Sequence, residues 1–578
     1  MNRRDLLLFA GLLLCASGLG ATVQAERSTD GSEELLPIDA TPAERAIAGQ
    51  PSRSLLANDP PPFAPVRNIA EYEPATGVLI RYPLGVGYGV IKEMAEDVTV
   101  FVIVSSEKLA TAVSEFVANG VDTTQVDWVV APTNSIWTRD YGPWFVFDGN
   151  GDQVIIDHYY NRPRPDDDVI PVVLGHLWNL PVVSHGMWHA GGNYMTEGHG
   201  LSFSSDLVWD ENWMFTHDEI AQFWRDYYGV DDYEVIPDIS ETGIHHIDTW
   251  GKLLDEETVL MKQVDPSHVD YARIEANAAT VAGLTDKYGR PFRVVRVNCP
   301  PIASGDVAAY TNAFILNNKV LVPTFGLPAA DAAALQVYRN AMPGYEVLGF
   351  SGGWLTDDAL HCRVIGIYDR HMLRVDHDPV QTASAGVPVP ITMYADDRSE
   401  AGIDMSATKL YWRKVGAPTF SPVAFTTDDE PDWYRSQIPA QPTNTDVEYY
   451  VTARDLTGRA SSRPRAAPLA TYHVTFDGVT GTHPTMPPKL SLSVGPSPFR
   501  YRSVARFHTS HAGTASVAVY DVRGREVARL MDRPLDAGDH EIEWTGSDAR
   551  GAQAPSGVYF VVLRSGGERV ARRVVLLR

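Results

Sequence analysis

A chain of 578 residues, 44% hydrophobic and 21% charged, is too long for one core and has the composition of a folded rather than a disordered protein. At about 100 to 200 residues per domain, three or four units are expected. The formal net charge of −25 excludes a general nucleic-acid binder and favours cationic ligands at long range, without identifying one.

In chain order, residues 1–25 read as a cleaved export signal. Arg3 and Arg4 precede the apolar run LLLFAGLLLCASGLG, and small residues end it at Ala25. The pair in NRRDLL also resembles a twin-arginine signal, while Leu14 before Cys15 departs from a lipidation site. A secreted or cell-surface protein that uses bacterial export machinery is therefore expected. No later apolar run reaches the roughly 18 residues of a spanning helix.

Residues 26–65, rich in Ser, Pro, Ala and acids, read as a flexible segment. From 66 to 375 short β-rich runs such as GVLIRYP, VTVFVIV and CRVIGIYD alternate with helical stretches such as HVDYARIEANAATVAGL, an α/β pattern with a hint of divergent repeats. Residues 376–476 carry VPVPITMYA, ATKLYWRKV and VEYYVTARD between Pro, Asp and Gly turns, a β-sandwich. A linker at 477–490 leads to a second small sandwich at 491–578. With the signal removed two cysteines remain. Cys299 in VNCPPI reads as a buried small hydrophobe, and no bridge to Cys362 is expected.

The chemistry gathers in three places: WTRDYGPW at 137–144, GIHHIDTWGK at 243–252 and ALHCR at 359–363. GIHHIDTWGK reads as a strand, which puts His246 and Asp248 on one face and His245 on the other. Paired carboxylates hold a planar guanidinium, and Asp140 and Asp248 supply one each. The set permits a Cys362 thiolate to attack a guanidinium carbon, with His246 suited to protonate the departing nitrogen and then to activate water. No metal or organic cofactor is required. Each residue alone has a plainer reading: a turn acid, a satisfied buried histidine, an inert thiol.

SIWTRDYGPWF, AGGNYM, HHIDTWGK, AAYTNAFILNNKVLVP and ALHCR resemble the guanidino-group-modifying superfamily, specifically its bacterial peptidylarginine and agmatine deiminases, over about 66–375. The resemblance implies a five-bladed α/β propeller (pentein) with the site on its axis. It further implies Cys362 as nucleophile, His246 as acid and base, Asp140 and Asp248 as guanidinium ligands, Asn312 beside them, and Trp137 packing on the arginine stem. The last ninety or so residues resemble sorting or hook-cap-type sandwiches of exported bacterial proteins.

Arg162 and Arg164 in YYNRPRPDDD are suited to clamp a carboxylate, like the pair that secreted peptidylarginine deiminases turn on a C-terminal arginine. Arginine-containing peptides are therefore the expected substrates, with small guanidines such as agmatine as the alternative and a non-catalytic surface binder as a third reading. Asp166 to Asp168 lack the spacing of a calcium loop and read as solvated. The sequence carries no signal for an oligomeric state.

Overall fold

Between residues 75 and 368 one motif recurs: two antiparallel strands, a helix, and a third strand parallel to the second. A parallel neighbour requires a crossover, and the amphipathic helices supply it. The computed structural model describes residues 36–47 and 58–477, apart from 241–242, 304–305 and 355–357, and most of 491–576. The expected export signal at 1–25 and linker residues 478–490 lie outside the described residues.

The first unit pairs Trp144–Phe147 with Gln153–Tyr160, crosses through the helix Ile170–Trp178 and adds Val182–His189. The second uses Met195–Thr196, Leu201–Ser205, the helix His217–Tyr228 and Asp232–Ile236. The third uses Gly251–Leu253, Thr258–Gln263, the helix Tyr271–Gly283 and Arg293–Asn298. The fourth uses Phe314–Leu316, Lys319–Thr324, the helix Pro328–Ala341 and Glu346–Ser351.

The fifth unit is assembled from both ends of the region. Ile365–Tyr368 pairs antiparallel with Ala75–Arg81, which leads through the helix Tyr88–Ala95 to Thr99–Val104 and then to Val126–Val130. Each unit forms a separate sheet of three or four strands. Central strands such as Thr258–Gln263 are buried on both faces, which is why they read as apolar runs rather than alternations. The helix His217–Tyr228 shows the local logic of the crossovers. A capping box of Thr216 and Glu219 opens it, left-handed Gly229 closes it, and Ile220, Trp224, Tyr227 and Tyr228 form its buried stripe.

From Leu373 onward the elements among the described residues are all strands. One sheet orders Leu373–Asp376, Val389–Asp397, Trp433–Ile438 and Thr426–Thr427, and the facing sheet is built on Thr445–Arg454. They share a core of Val375, Ile391, Met393, Leu410, Tyr449 and Phe476. Residues 478–578 form a second compact unit. Its two sheets enclose Phe507, Val517, Val519, Trp544, Val561 and Leu563. The α/β region followed by β-rich segments agrees with the sequence reading.

Three expectations need correction. His246 to Asp248 is not strand: Ile247–Thr249 is a 3-10 turn with His246 at its cap, and the strand begins at Gly251. Residues 36–47, inside the segment expected to be flexible, make a turn and the helix Pro42–Ile47, with Ile38 and Glu44 buried. Asp166 to Asp168 are not solvated. Asp167 accepts from the Asn134 and Ser135 amides and the Ser135 hydroxyl at 2.6–3.1 Å, Asp168 accepts from the Tyr160 amide at 2.7 Å, and Asp166 bonds Asn134.

Candidate active site

A short turn precedes the first strand of every unit, and these turns bring the polar residues together. They are Thr138–Tyr141, Gly191–Asn193, Ile247–Thr249, residues 309–312, and His361–Arg363. Side chains pin each turn to the next. Asn193 Oδ1 accepts from the Ser205 and Ile247 amides at 2.9 and 3.2 Å. Thr311 Oγ1 donates to the Thr249 carbonyl at 2.9 Å. Asn312 Oδ1 accepts from the Ala359 and His361 amides at 3.1 and 3.0 Å, and its Nδ2 donates to the Asp248 carbonyl at 3.4 Å and to Cys362 Sγ at 3.3 Å.

Asp140, His246, Asp248 and Cys362 therefore meet, although the turns of three different units carry them. His246 Nδ1 lies 3.6 Å from Asp140 Oδ1, and the Cys362 thiol lies 3.6 Å from Asp248 Oδ2. Gly192 sits at the centre. Its amide donates to Asp140 Oδ1 at 3.1 Å, and a Cβ there would stand 2.8 Å from Asp140 Oδ1 and His246 Nδ1 and 3.1 Å from Asp248 Oδ2. Gly191 is equally constrained, since its Cβ would fall 2.1 Å from the Arg139 carbonyl oxygen. All four groups are buried, with Cys362 and His246 at 0%, Asp140 at 1% and Asp248 at 3% exposure. Among the described residues both ring nitrogens of His246 and Asp248 Oδ1 lack hydrogen-bond partners, the condition of groups that await a polar ligand.

Burial and the neighbouring Asp248 push the Asp140 carboxyl up to about 8. Asp248 moves the other way. Burial alone would raise it, but the hydrogen bond and charge of His361 hold it below its ordinary value. Burial lowers His246 to about 4, and burial with Asp248 and Asp140 raises the Cys362 thiol well above its ordinary value. These shifts favour a thiol at Cys362, a neutral imidazole at His246 and one ionised carboxylate, Asp248. A bound cation reverses the penalty on both the second carboxylate and the thiolate.

Behind Asp248 runs a charge chain that sequence reading missed. His361 bridges Asp248 Oδ2 at 2.7 Å and Glu71 Oε2 at 2.5 Å, and Glu71 also takes Lys252 at 2.6 Å and Arg139 at 3.0 Å. His361 stood in plain view beside Cys362. Glu71 lies between the strands Arg67–Asn68 and Ala75–Arg81 with no local signal, and Gly192 was visible only as half of a glycine pair.

The outer residues are engaged by the segment that begins at Leu36. Trp137 is buried, with the Arg363 guanidinium 5.4 Å from its ring centre, and its Nε1 donates to the Leu36 carbonyl at 3.1 Å. Arg162 and Arg164 form no open clamp. Arg162 donates to the Ile38 carbonyl at 3.1 Å, while Arg164 donates to both oxygens of Glu44 at 2.8 and 3.2 Å and to the carbonyls of Pro37 and Asp39. Cys299 and Cys362 are both buried and not joined in a disulfide.

Residues 85–363 match the model of the Porphyromonas-type peptidyl-arginine deiminase family, and residues 503–567 match the FlgD Ig-like domain. A putative agmatine deiminase of Legionella pneumophila strain Paris is 25% identical over 266 residues, covering 41% of this chain and 74% of the relative. The agmatine deiminase of Stutzerimonas stutzeri is 23% identical over 302 residues, covering 46% and 80%. A crystal structure described as a putative arginine deiminase from Porphyromonas gingivalis is 21% identical, with a TM-score of 0.48, covering 53% of this chain and 99% of that one. Residues 85–363 therefore carry a domain that matches the Porphyromonas-type peptidyl-arginine deiminase model, and over this region the chain is similar to agmatine deiminases.

Proposed function

We propose that the protein is an exported deiminase that converts a C-terminal peptidylarginine into citrulline and ammonia. The observation that carries the chemistry is the grouping of Asp140, His246 and Asp248 around the Gly192 backbone, with the Cys362 thiol 3.6 Å from Asp248. A guanidinium placed there meets a carboxylate from each of two turns.

Its charge favours ionisation of Asp140 and of the thiol, and His246, neutral in the empty site, takes up the proton as the thiolate forms. The Cys362 sulfur adds to the guanidinium carbon and gives a tetrahedral adduct. His246 returns the proton to one nitrogen, which leaves as ammonia, and a thiouronium remains. Water, deprotonated by His246, adds to the same carbon, and expulsion of the thiolate leaves the ureido product. Asn312 supports the cycle by donating to the sulfur at 3.3 Å. The five units are read as five blades around one axis, an arrangement supported by their shared strand order and their pinned turns.

The peptide preference is supported by the match to the Porphyromonas-type family and by Arg164, which grips a carboxylate through two of its nitrogens. The agmatine reading has its own support in the names of the curated relatives. Ammonia release from a peptide ending in arginine, the same peptide amidated, and agmatine separates them. The proposal expects the free-carboxylate peptide to be preferred. Preference for agmatine overturns the substrate, and no release from any of the three overturns the reaction.

A further inference from the structure

The four site side chains are sealed from solvent, and the segment from Leu36 to Ile47 bonds Trp137, Arg162 and Arg164, the residues expected to receive the stem and carboxylate of a substrate. Leu36 takes the Trp137 indole N–H, and Ile38 takes Arg162. The Ile38 side chain, 7% exposed, belongs to the same packed apolar cluster as Trp137 and Cys362. Arg164 is held by this one segment through Nε and Nη2, which reach both Glu44 oxygens and two carbonyls at 2.7–3.2 Å. Glu44 is held in position from its other side, where its Oε2 accepts from the Thr41 amide at 2.7 Å and its own amide donates to Thr41 Oγ1 at 3.1 Å.

We propose that residues 36–47 are a built-in inhibitor. Glu44 occupies, as an internal ligand, the place of a substrate's terminal carboxylate on Arg164, and Ile38 plugs the apolar approach beside Trp137. The assignment rests on the peptidylarginine reading, because only a substrate with a carboxylate competes with Glu44 for Arg164. The segment is tethered to its own site, so its effective concentration there is high and substrate must displace it. Activity then appears when the segment swings away or is cut.

The test compares the full-length protein with its Glu44→Gln and Ile38→Asp variants, with thermal midpoints as a folding control. Two quantities are read: the rate at which iodoacetamide alkylates Cys362, mapped by peptide mass so that Cys299 is scored apart, and KM for a peptide ending in arginine. Both variants are expected to alkylate faster and to lower KM, about tenfold for each 1.4 kcal/mol of lost contact. A synthetic peptide of residues 36–47 added to either variant should inhibit it competitively. Alkylation rates and KM equal to those of the unmodified protein, with no inhibition by the added peptide, overturn the proposal. Faster alkylation without turnover of any arginine substrate upholds the plug and sinks the substrate reading instead.

Discussion

Asp140 is the residue on which binding and stability pull in opposite directions. Its carboxyl keeps its proton up to about pH 8 in the empty site, yet a guanidinium needs the carboxylate. Each binding event below that pH therefore releases a proton, so KM should fall as pH rises toward 8 and level off above it. A KM that is flat from pH 6 to 9 contradicts this. Between about pH 4 and 8 the folded protein holds a proton that the unfolded chain has lost, so this group erodes stability as pH rises. Asp140→Asn should accordingly raise the thermal midpoint at pH 8 while abolishing turnover, a trade-off common at functional sites.

Gly192 offers a cleaner geometric test, because its place in the site depends on the missing side chain. Gly192→Ala puts a methyl group 2.8 Å from Asp140 Oδ1 and His246 Nδ1, inside the space a guanidinium would fill. Turnover should drop by about a hundredfold or more, the scale of a 1 Å misplacement, with circular dichroism unchanged. Undiminished turnover would remove Gly192 from the site.

At the scale of elements, the turns ahead of the inner strands do the positioning. Asn193 and Asn312 each stand two residues before the first strand of a unit, and each ties its own turn to a neighbouring one. Asn312→Ala removes the donor to Cys362 Sγ and the acceptor for the following loop. The thiol should titrate higher still, measurable as an alkaline shift in the pH profile of Cys362 alkylation. An unmoved profile would reduce Asn312 to a structural part.

This scale also explains the misread strand. GIHHIDTWGK alternates like a strand, but the Ile247 amide bonds the side chain of Asn193, 54 residues away, so no ladder can form there. The candidate residues were legible because the proposed reaction needs a carboxylate, an imidazole and a thiol. Their true geometry was not, since it is set by contacts across units. Glu71 on His361 and Glu44 on Arg164 are closed by chain separations of 290 and 120 residues, which leave no local pattern.

For the molecule as a whole, the middle sandwich is bolted to the α/β region by buried charge. Glu256 of the third unit forms an ion pair with Arg463 at 3.0 Å and accepts from Arg465 at 3.2 Å, and Lys287 reaches Asp376 at 2.5 Å. Burial would raise the Glu256 carboxyl, but the two guanidiniums hold it well below its ordinary range. Its stabilising effect is present above the unfolded carboxyl's ordinary value and is lost as pH falls. Glu256→Gln leaves two buried cations uncompensated and should cost about 3–5 kcal/mol in urea unfolding. A change under 1 kcal/mol would mean that the sandwich is held by its apolar contacts alone. The alternation of elements along the chain made the α/β and β-rich regions legible. These ion pairs were not, because charged residues in a sequence do not declare their partners.

The central claim is that Cys362 bonds covalently to the guanidinium carbon. Acid quenching during turnover of a peptide ending in arginine, followed by intact and peptide mass measurement, reads that bond directly. A protein heavier by the substrate less ammonia, with the added mass on Cys362 and none on a Cys362→Ala variant that also releases no ammonia, is the predicted result. Ammonia release by Cys362→Ala at the unmodified rate, or an adduct on another residue, would contradict it.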